Sequence, residues 1–233
     1  MSSSIEAIHD YVCEMVDAAD YDVLLLDFGG VCILNPVELH DRATELLGIP
    51  EGTFSWLGPI DPSTDALWRQ MISGDGVTER EYWAIRAREV GEAAGRDLDT
   101  QAYMAMLYDP PTSQIVRPEA IATSRRVLEA GYGVSVLTND MRAFHGREWE
   151  HGVDFLQMVD HIVDCSDTDI LKPDPRAFAR AEEIIGASAE RMLFVDDQPR
   201  NVQGAIDAGL DAMWFDIANA ADSWDDVASR LGV

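Results

Sequence analysis

The sequence predicts a doubly wound α/β sheet, a Rossmann-like core, interrupted by a helical insertion. Three observations carry this prediction. Short apolar runs alternate with longer helical patterns, polar residues stand at the ends of those runs, and the rhythm breaks across residues 37–115. Compact apolar runs bounded by turn residues suit parallel strands covered on both faces. Residues 23–27, 133–137, 192–195 and 212–215 have this character, and 161–163 is a shorter candidate. Helical stretches over 119–130, 176–185 and 199–208 lie between them. Gly131, Gly186 and Gly209 follow these stretches as C-terminal stops, and Pro199 suits a first helical turn. Near the start, Ile5, Ile8, Val12 and Val16 recur at helical spacing. Residues 1–22 therefore read as an amphipathic helix and not as a signal peptide.

The interruption is dense in aromatics and arginine, among them Trp56, Trp68, Trp83, Arg69 and Arg86. Helical patterns over 65–72, 78–90 and 100–107 are separated by Gly74-Asp75-Gly76 and closed by Pro110-Pro111. The expected organisation is a core of residues 1–36 and 116–233 around an inserted helical cap, 37–115. Ligands of open α/β sheets bind outside the carboxyl ends of the strands. An insertion leaving from that edge would stand over the site as a lid. Trp68, Met71 and Trp83 are expected to form the core of the cap, and Arg69 and Arg86 to pair with nearby carboxylates.

Composition narrows the function classes. The 233 residues include 43 acidic and 17 basic side chains, a net charge of −26. Such a field repels nucleic acid and anionic membranes, leaving a small molecule as the expected partner of a monomer or homodimer. No stretch has the length and apolarity of a membrane span. Cys13, Cys32 and Cys165 match neither a zinc spacing nor a disulfide framework, which suits a reducing cytoplasm.

Chemistry concentrates in four segments. Asp27 ends the most apolar run and is followed by Gly29 and Gly30, where the backbone can approach a ligand. Thr138 and Asn139 follow the run at 133–137. Lys172, in Leu171-Lys172-Pro173-Asp174-Pro175, is the only lysine of the chain, every other basic side chain being arginine. A compact ammonium and a forked guanidinium are not interchangeable at a crowded centre. Asp196 and Asp197 end a further run, and adjacent buried carboxylates repel unless a cation sits beside them. Oxygen-only ligation by few protein groups fits Mg²⁺.

Taken in order, these segments resemble the motifs of the haloacid dehalogenase superfamily, in the group with a helical cap after the first strand. Asp27-Phe28-Gly29-Gly30-Val31 looks like its first motif, Thr138 its second, and Lys172-Pro173 its third. Asp196-Asp197, followed by Asn201, looks like its fourth. The resemblance covers nearly the whole chain. It implies Asp27 as a nucleophile forming an aspartyl-phosphate, with Thr138 and Lys172 as ligands of the phosphoryl group. It also implies Mg²⁺ bound by Asp27, the Gly29 carbonyl, Asp196 and Asp197. Gly29, Gly30 and Asn139 are the expected substrate-binding positions, and Asn201 is expected to position the loop after Asp197.

The chain departs from the pattern at Gly29, where most phosphatases of the family carry a second aspartate as general acid and base. Such help is typically worth about 10²–10⁴ in rate. Either the substrate has a good leaving group, another residue such as His40 supplies the proton, or turnover is weak. Two other functions compete with Mg²⁺-dependent phosphate hydrolysis. A metal-independent 2-haloacid dehalogenase also lacks the second aspartate, but gains nothing from paired carboxylates and needs a positive halide cradle. A catalytically weak binding protein is the third reading, since folds outlive functions.

Overall fold

The computed structural model describes residues 21–74, 76–109 and 114–233. The helix expected over residues 1–22 lies outside them except for its last two positions, as does Pro110-Pro111. Among the described residues, five parallel strands form one sheet in the order β3-β2-β1-β4-β5. They are β1 (Val23–Leu26), β2 (Gly133–Thr138), β3 (His161–Asp164), β4 (Met192–Asp196) and β5 (Asp211–Trp214). All of the expected strands are present, with small differences at their ends. β1 is central because its residues are all apolar and all buried. Leu24 pairs with Val134 on one side and Leu193 on the other.

Around the sheet run α1 (His40–Leu47), α2 (Ala66–Ser73), α3 (Glu79–Ala93), α4 (Thr100–Tyr108), α5 (Pro118–Glu129), α6 (Met141–His145), α7 (Pro175–Ile185), α8 (Pro199–Asp207) and α9 (Ala220–Leu231). Proline opens α5, α7 and α8, where its missing N–H removes no intrahelical bond. Asp174 caps α7 by accepting from the Arg176 N–H, and Gly186 closes it in the left-handed region. A reciprocal Thr78–Glu81 capping box fixes the start of α3.

Successive strand residues point to opposite faces, so the sheet feeds two apolar cores. Leu24, Leu26, Val136, Leu193 and Val195 belong to one; Val23, Leu25, Leu137 and Phe194 belong to the other, with Phe178 of α7 and Ala205 of α8. The first core continues without a break into the insertion. Trp68, Met71, Tyr82 and Trp83 cluster with Leu24, Leu26 and Phe28. Arg86 meets its expected carboxylate partners, Asp65 at 2.5 Å and Glu89 at 2.7 Å. Arg69 does not: it donates to the carbonyls of Pro62 and Ser63, seven and six residues back along the chain.

One close approach ties the second core to the loop that carries the lysine. Helix α8 passes so near Pro173 that a Cβ at Gly204 would stand 2.6 Å from the Pro173 Cβ and 2.7 Å from its carbonyl oxygen. Alanine is the better helix former by about 1 kcal/mol, but overpacking typically costs about 1–3 kcal/mol. Backbone atoms cannot swing aside as a flexible side chain would, so the clash should prevail. Gly204→Ala is expected to lower the melting temperature. A raised melting temperature in thermal unfolding would show that the loop yields.

Candidate active site

The carboxyl ends of β1, β2 and β4 bring the sequence motifs to one place. The Asp27 N–H donates to the Val195 carbonyl at 2.8 Å, locking the residue after β1 to the neighbouring strand. Lys172 is 3% exposed, and its ammonium donates to Asp27 Oδ1 at 2.6 Å, Asp196 Oδ2 at 2.8 Å and the Leu137 carbonyl at 2.8 Å. An ammonium has three donors. All three are engaged, so Lys172 joins the ends of three strands.

Asn139 holds that lysine from behind. Its Oδ1 accepts from the Lys172 N–H at 2.7 Å and its Nδ2 donates to the Lys172 carbonyl at 3.1 Å. Both ends of the amide that the sequence suggested for substrate are thus used on Lys172. Asp196 is clasped as firmly, accepting from the Gln198 N–H at 2.8 Å and from Asn201 Nδ2 at 3.1 Å. Asn201 therefore acts on Asp196 itself. Asp197 differs: among the described residues none donates a hydrogen bond to its carboxylate, nor to the Thr138 hydroxyl.

The two glycines part company. Gly30 has φ 84°, and a Cβ there would stand 2.7 Å from Ile217 Cδ1 and 3.3 Å from Asp197 Oδ2. Its carbonyl accepts from Arg117 Nε at 2.8 Å, and it is not among the residues lining the cleft. The structure gives Gly30 a backbone reason, where substrate contact was expected. Gly29 does line the cleft, its φ lies outside the left-handed region, and a Cβ there would meet nothing within 4 Å.

Asp27, Asp196 and Asp197 each offer an oxygen within 4.8 Å of the others. Against these three carboxylates stands one ammonium, and two of the carboxylates, Asp27 and Asp197, are pushed toward protonation. Burial raises the Asp27 carboxyl to about 7, with Asp196 adding to the rise and Lys172 opposing it. Burial, then Asp196 and Asp27, push Asp197 well above the usual carboxylate range. Burial alone would lower the Lys172 ammonium, but Asp196 and Asp27 hold it above its ordinary value. Oxygen donors with unmet negative charge fit a small divalent cation.

A family profile described as "haloacid dehalogenase-like hydrolase" matches residues 21–209. The chain belongs to the haloacid dehalogenase-like hydrolases. A phosphatase of Mycobacterium tuberculosis is 32% identical over 131 residues, covering 56% of this chain and 57% of that protein. The chain spans little more than half the length of the curated relatives it matches first. The structure of the HAD-hydrolase YfnB of Bacillus subtilis, bound to magnesium, superposes with a TM-score of 0.64 at 22% identity, covering 84% of this chain and 86% of that one. L-2-haloacid dehalogenase of Xanthobacter autotrophicus, with chloropropionic acid covalently bound, gives 0.56 at 16% identity over 84% and 77%. At such identities the likeness is one of fold.

Within this hydrolase the cleft has walls that the motifs did not reveal. It encloses about 640 Å³, counting space open to solvent, a size suited to a small molecule. Asp27, Gly29, Thr138, Asn139, Lys172 and Asp197 form its polar floor, facing Trp68, Trp83, Met104, Tyr108 and Phe144. Trp68 and Trp83 are thus insertion core and cleft wall at once. Glu79, at the start of α3, accepts from Gln198 Nε2 at 3.0 Å, and the adjacent Arg80 meets Asp140 at 2.5 Å. These two contacts pin the insertion to the sheet edge. His40 packs against Phe54 and Trp56 and is not among the lining residues, so the geometry offers it no proton to deliver.

His145 does line the cleft, stacked on Trp149 with ring centroids 4.0 Å apart. Burial depresses its pKa to about 3, so the folded protein keeps it neutral. An unfolded histidine titrates near 6.5, so below that pH the unfolded chain binds a proton that the folded one refuses. This contribution to stability is present above pH 6.5 and is lost progressively as pH falls toward about 3. Phenylalanine keeps the stacking and cannot titrate. His145→Phe should therefore gain melting temperature relative to the parent as pH falls from 7 to 5. A constant difference across that range would mean His145 is not held neutral.

Proposed function

We propose that this hydrolase is a Mg²⁺-dependent phosphatase acting on a small phosphorylated molecule through an aspartyl-phosphate. The observation that supports it most is the convergence of three carboxylates on one saturated ammonium at the strand ends. Buried charge of one sign is expensive unless compensated. A magnesium ion bound by Asp27, the Gly29 carbonyl, Asp196 and Asp197 would neutralise that excess and supply positive charge to the phosphoryl oxygens.

The chain's own groups then have distinct tasks. Lys172, bonded to Asp27 Oδ1, orients the carboxylate so that its other oxygen is free to attack phosphorus. The Asp27 oxygen–phosphorus bond forms as the ester oxygen departs in line with its electron pair. The Thr138 hydroxyl is available to a phosphoryl oxygen. Asn139 and Asn201 keep Lys172 and Asp196 in register. The helices of residues 37–115 serve as the lid, their aromatic wall keeping bulk water from the reacting centre. Water afterwards cleaves the acyl-phosphate and regenerates Asp27. Cys32 and Cys165, both buried and unpaired, suit a cytoplasmic setting, and no described helix is long and apolar enough to cross a membrane.

Dehalogenation is the competing chemistry, since its enzymes share the fold. It is poorly supported by a cleft in which Lys172 is the only cationic side chain among the described lining residues and is fully engaged by acceptors. Phosphate release from a panel of phosphomonoesters should require Mg²⁺ and stop in chelator. Asp27→Asn should lose at least about 10³-fold in kcat with the fold intact, a nucleophile's loss being of transition-state size. Halide release from 2-chloropropionate in chelator would replace this reading with the other. Lys172→Arg should fail comparably, because a fork cannot satisfy three acceptors arranged around a point charge. Parent-level turnover in that variant would remove Lys172 from the mechanism.

A further inference from the structure

We propose that the cleft selects phosphate esters whose leaving group is uncharged, apolar and already a weak base, of the aryl phosphate kind. This rests on the phosphatase reading and narrows it to a substrate class. Three independent features converge on it.

The first is the wall opposite the polar floor. Trp68, Trp83, Met104, Tyr108 and Phe144 line the same cleft as that floor and supply its apolar surface to a bound molecule. Tyr108 turns its hydroxyl away, donating to the Leu34 carbonyl at 2.7 Å, so it offers the cleft a ring and not a donor. Flat apolar groups pack well against such surfaces.

The second is charge. A substrate carrying a carboxylate or a second phosphate needs a cation for it. Among the described lining residues Lys172 is the only one, and its three donors are taken by Asp27, Asp196 and Leu137. Glu79 also lines the cleft and brings a further carboxylate to it, whereas the Asp140 carboxylate there is paired with Arg80. Arg80 is occupied by Asp140 and the Ser166 carbonyl, and Arg200 donates to Gln198 and the Met71 carbonyl. An anionic leaving group would be both unpaired and repelled.

The third is proton supply. At Gly29 there is no carboxyl to protonate the departing oxygen, and no neighbour fills the space, since a Cβ there meets nothing within 4 Å. When the phosphorus–oxygen bond breaks, the ester oxygen leaves with the electron pair and takes its proton from solvent, no side chain standing within 4 Å of the place a Gly29 Cβ would occupy. A phenolate tolerates this, whereas an alkoxide is too basic. Tuned general acids are worth about 10²–10⁴ in rate, which sets the penalty an alkyl ester should suffer.

The test is kcat/KM of the full chain with Mg²⁺ on three matched esters. Phenyl phosphate is the reference, cyclohexyl phosphate changes leaving-group basicity, and 4-carboxyphenyl phosphate adds a charge at constant ring. Cyclohexyl phosphate is expected to fall at least about 100-fold below phenyl phosphate, and the carboxylated ester at least tenfold below it. Gly29→Asp, for which the backbone and the space allow an aspartate, should recover the cyclohexyl ester far more than the phenyl ester. Glu79→Gln should narrow the gap between the phenyl and carboxyphenyl esters. Comparable rates on all three esters would overturn the proposal and leave the phosphatase reading standing. So would collapse of alkyl-ester turnover in Glu79→Gln, which would identify Glu79 as the acid. No phosphate released from any of them would overturn the proposal, and the phosphatase reading would fall with it only if the wider phosphomonoester panel also released none.

Discussion

The site depends on one ammonium held by three strand ends. Lys172 bonds a carboxylate after β1, a carbonyl in β2 and a carboxylate at the end of β4. No side chain other than lysine could do this: a guanidinium is too broad, and a neutral donor would leave the carboxylates uncompensated. The supports around it follow from that need. Asn139 clamps the lysine's backbone from β2, Gly204 lets α8 close on Pro173 beneath it, and Asn201 and the Gln198 amide secure Asp196. Asp197, without a donor among the described residues, is the carboxylate most in need of an outside cation.

Much of this was legible in the sequence because strand ends announce themselves. An apolar run buried on both faces admits a polar residue only where it emerges, so Asp27, Thr138 and Asp196 mark the edge at which they meet. Glycine stops located the ends of α5, α7 and α8, and Pro199 the start of α8. Three helices were not legible in this way. Gly48 and Gly232 do close α1 and α9, but Leu39 and Asn219, which precede them, give no side-chain cap, and α6 is five residues long. For α9 a signal did exist, because Trp224, Val227, Ala228 and Leu231 recur at helical spacing.

The cleft wall was less readable, for a physical reason. Whether Trp68 or Trp83 faces a core or a ligand depends on how the insertion lies on the sheet, and helical periodicity is the same in either case. Glu79 and Gln198, distant in sequence, become neighbours only through that docking. Asn139 shows the converse difficulty: its position beside Thr138 suggested substrate, and only geometry reveals an amide used at both ends on Lys172. Gly30 illustrates a third, since glycine's presence reports a constraint without saying whether backbone torsion, packing or a ligand imposes it.

The unbroken apolar cluster from Leu24 through Phe28 to Trp68 and Trp83 bears on how this architecture can change. Units joined only by linkers can be exchanged between relatives like parts from a kit. Here the upper helices and the sheet are cast together, and a foreign insertion grafted at the same junctions would meet a surface shaped for other rings. New specificities on this scaffold are therefore more accessible through single replacements along the aromatic wall than by wholesale transplantation.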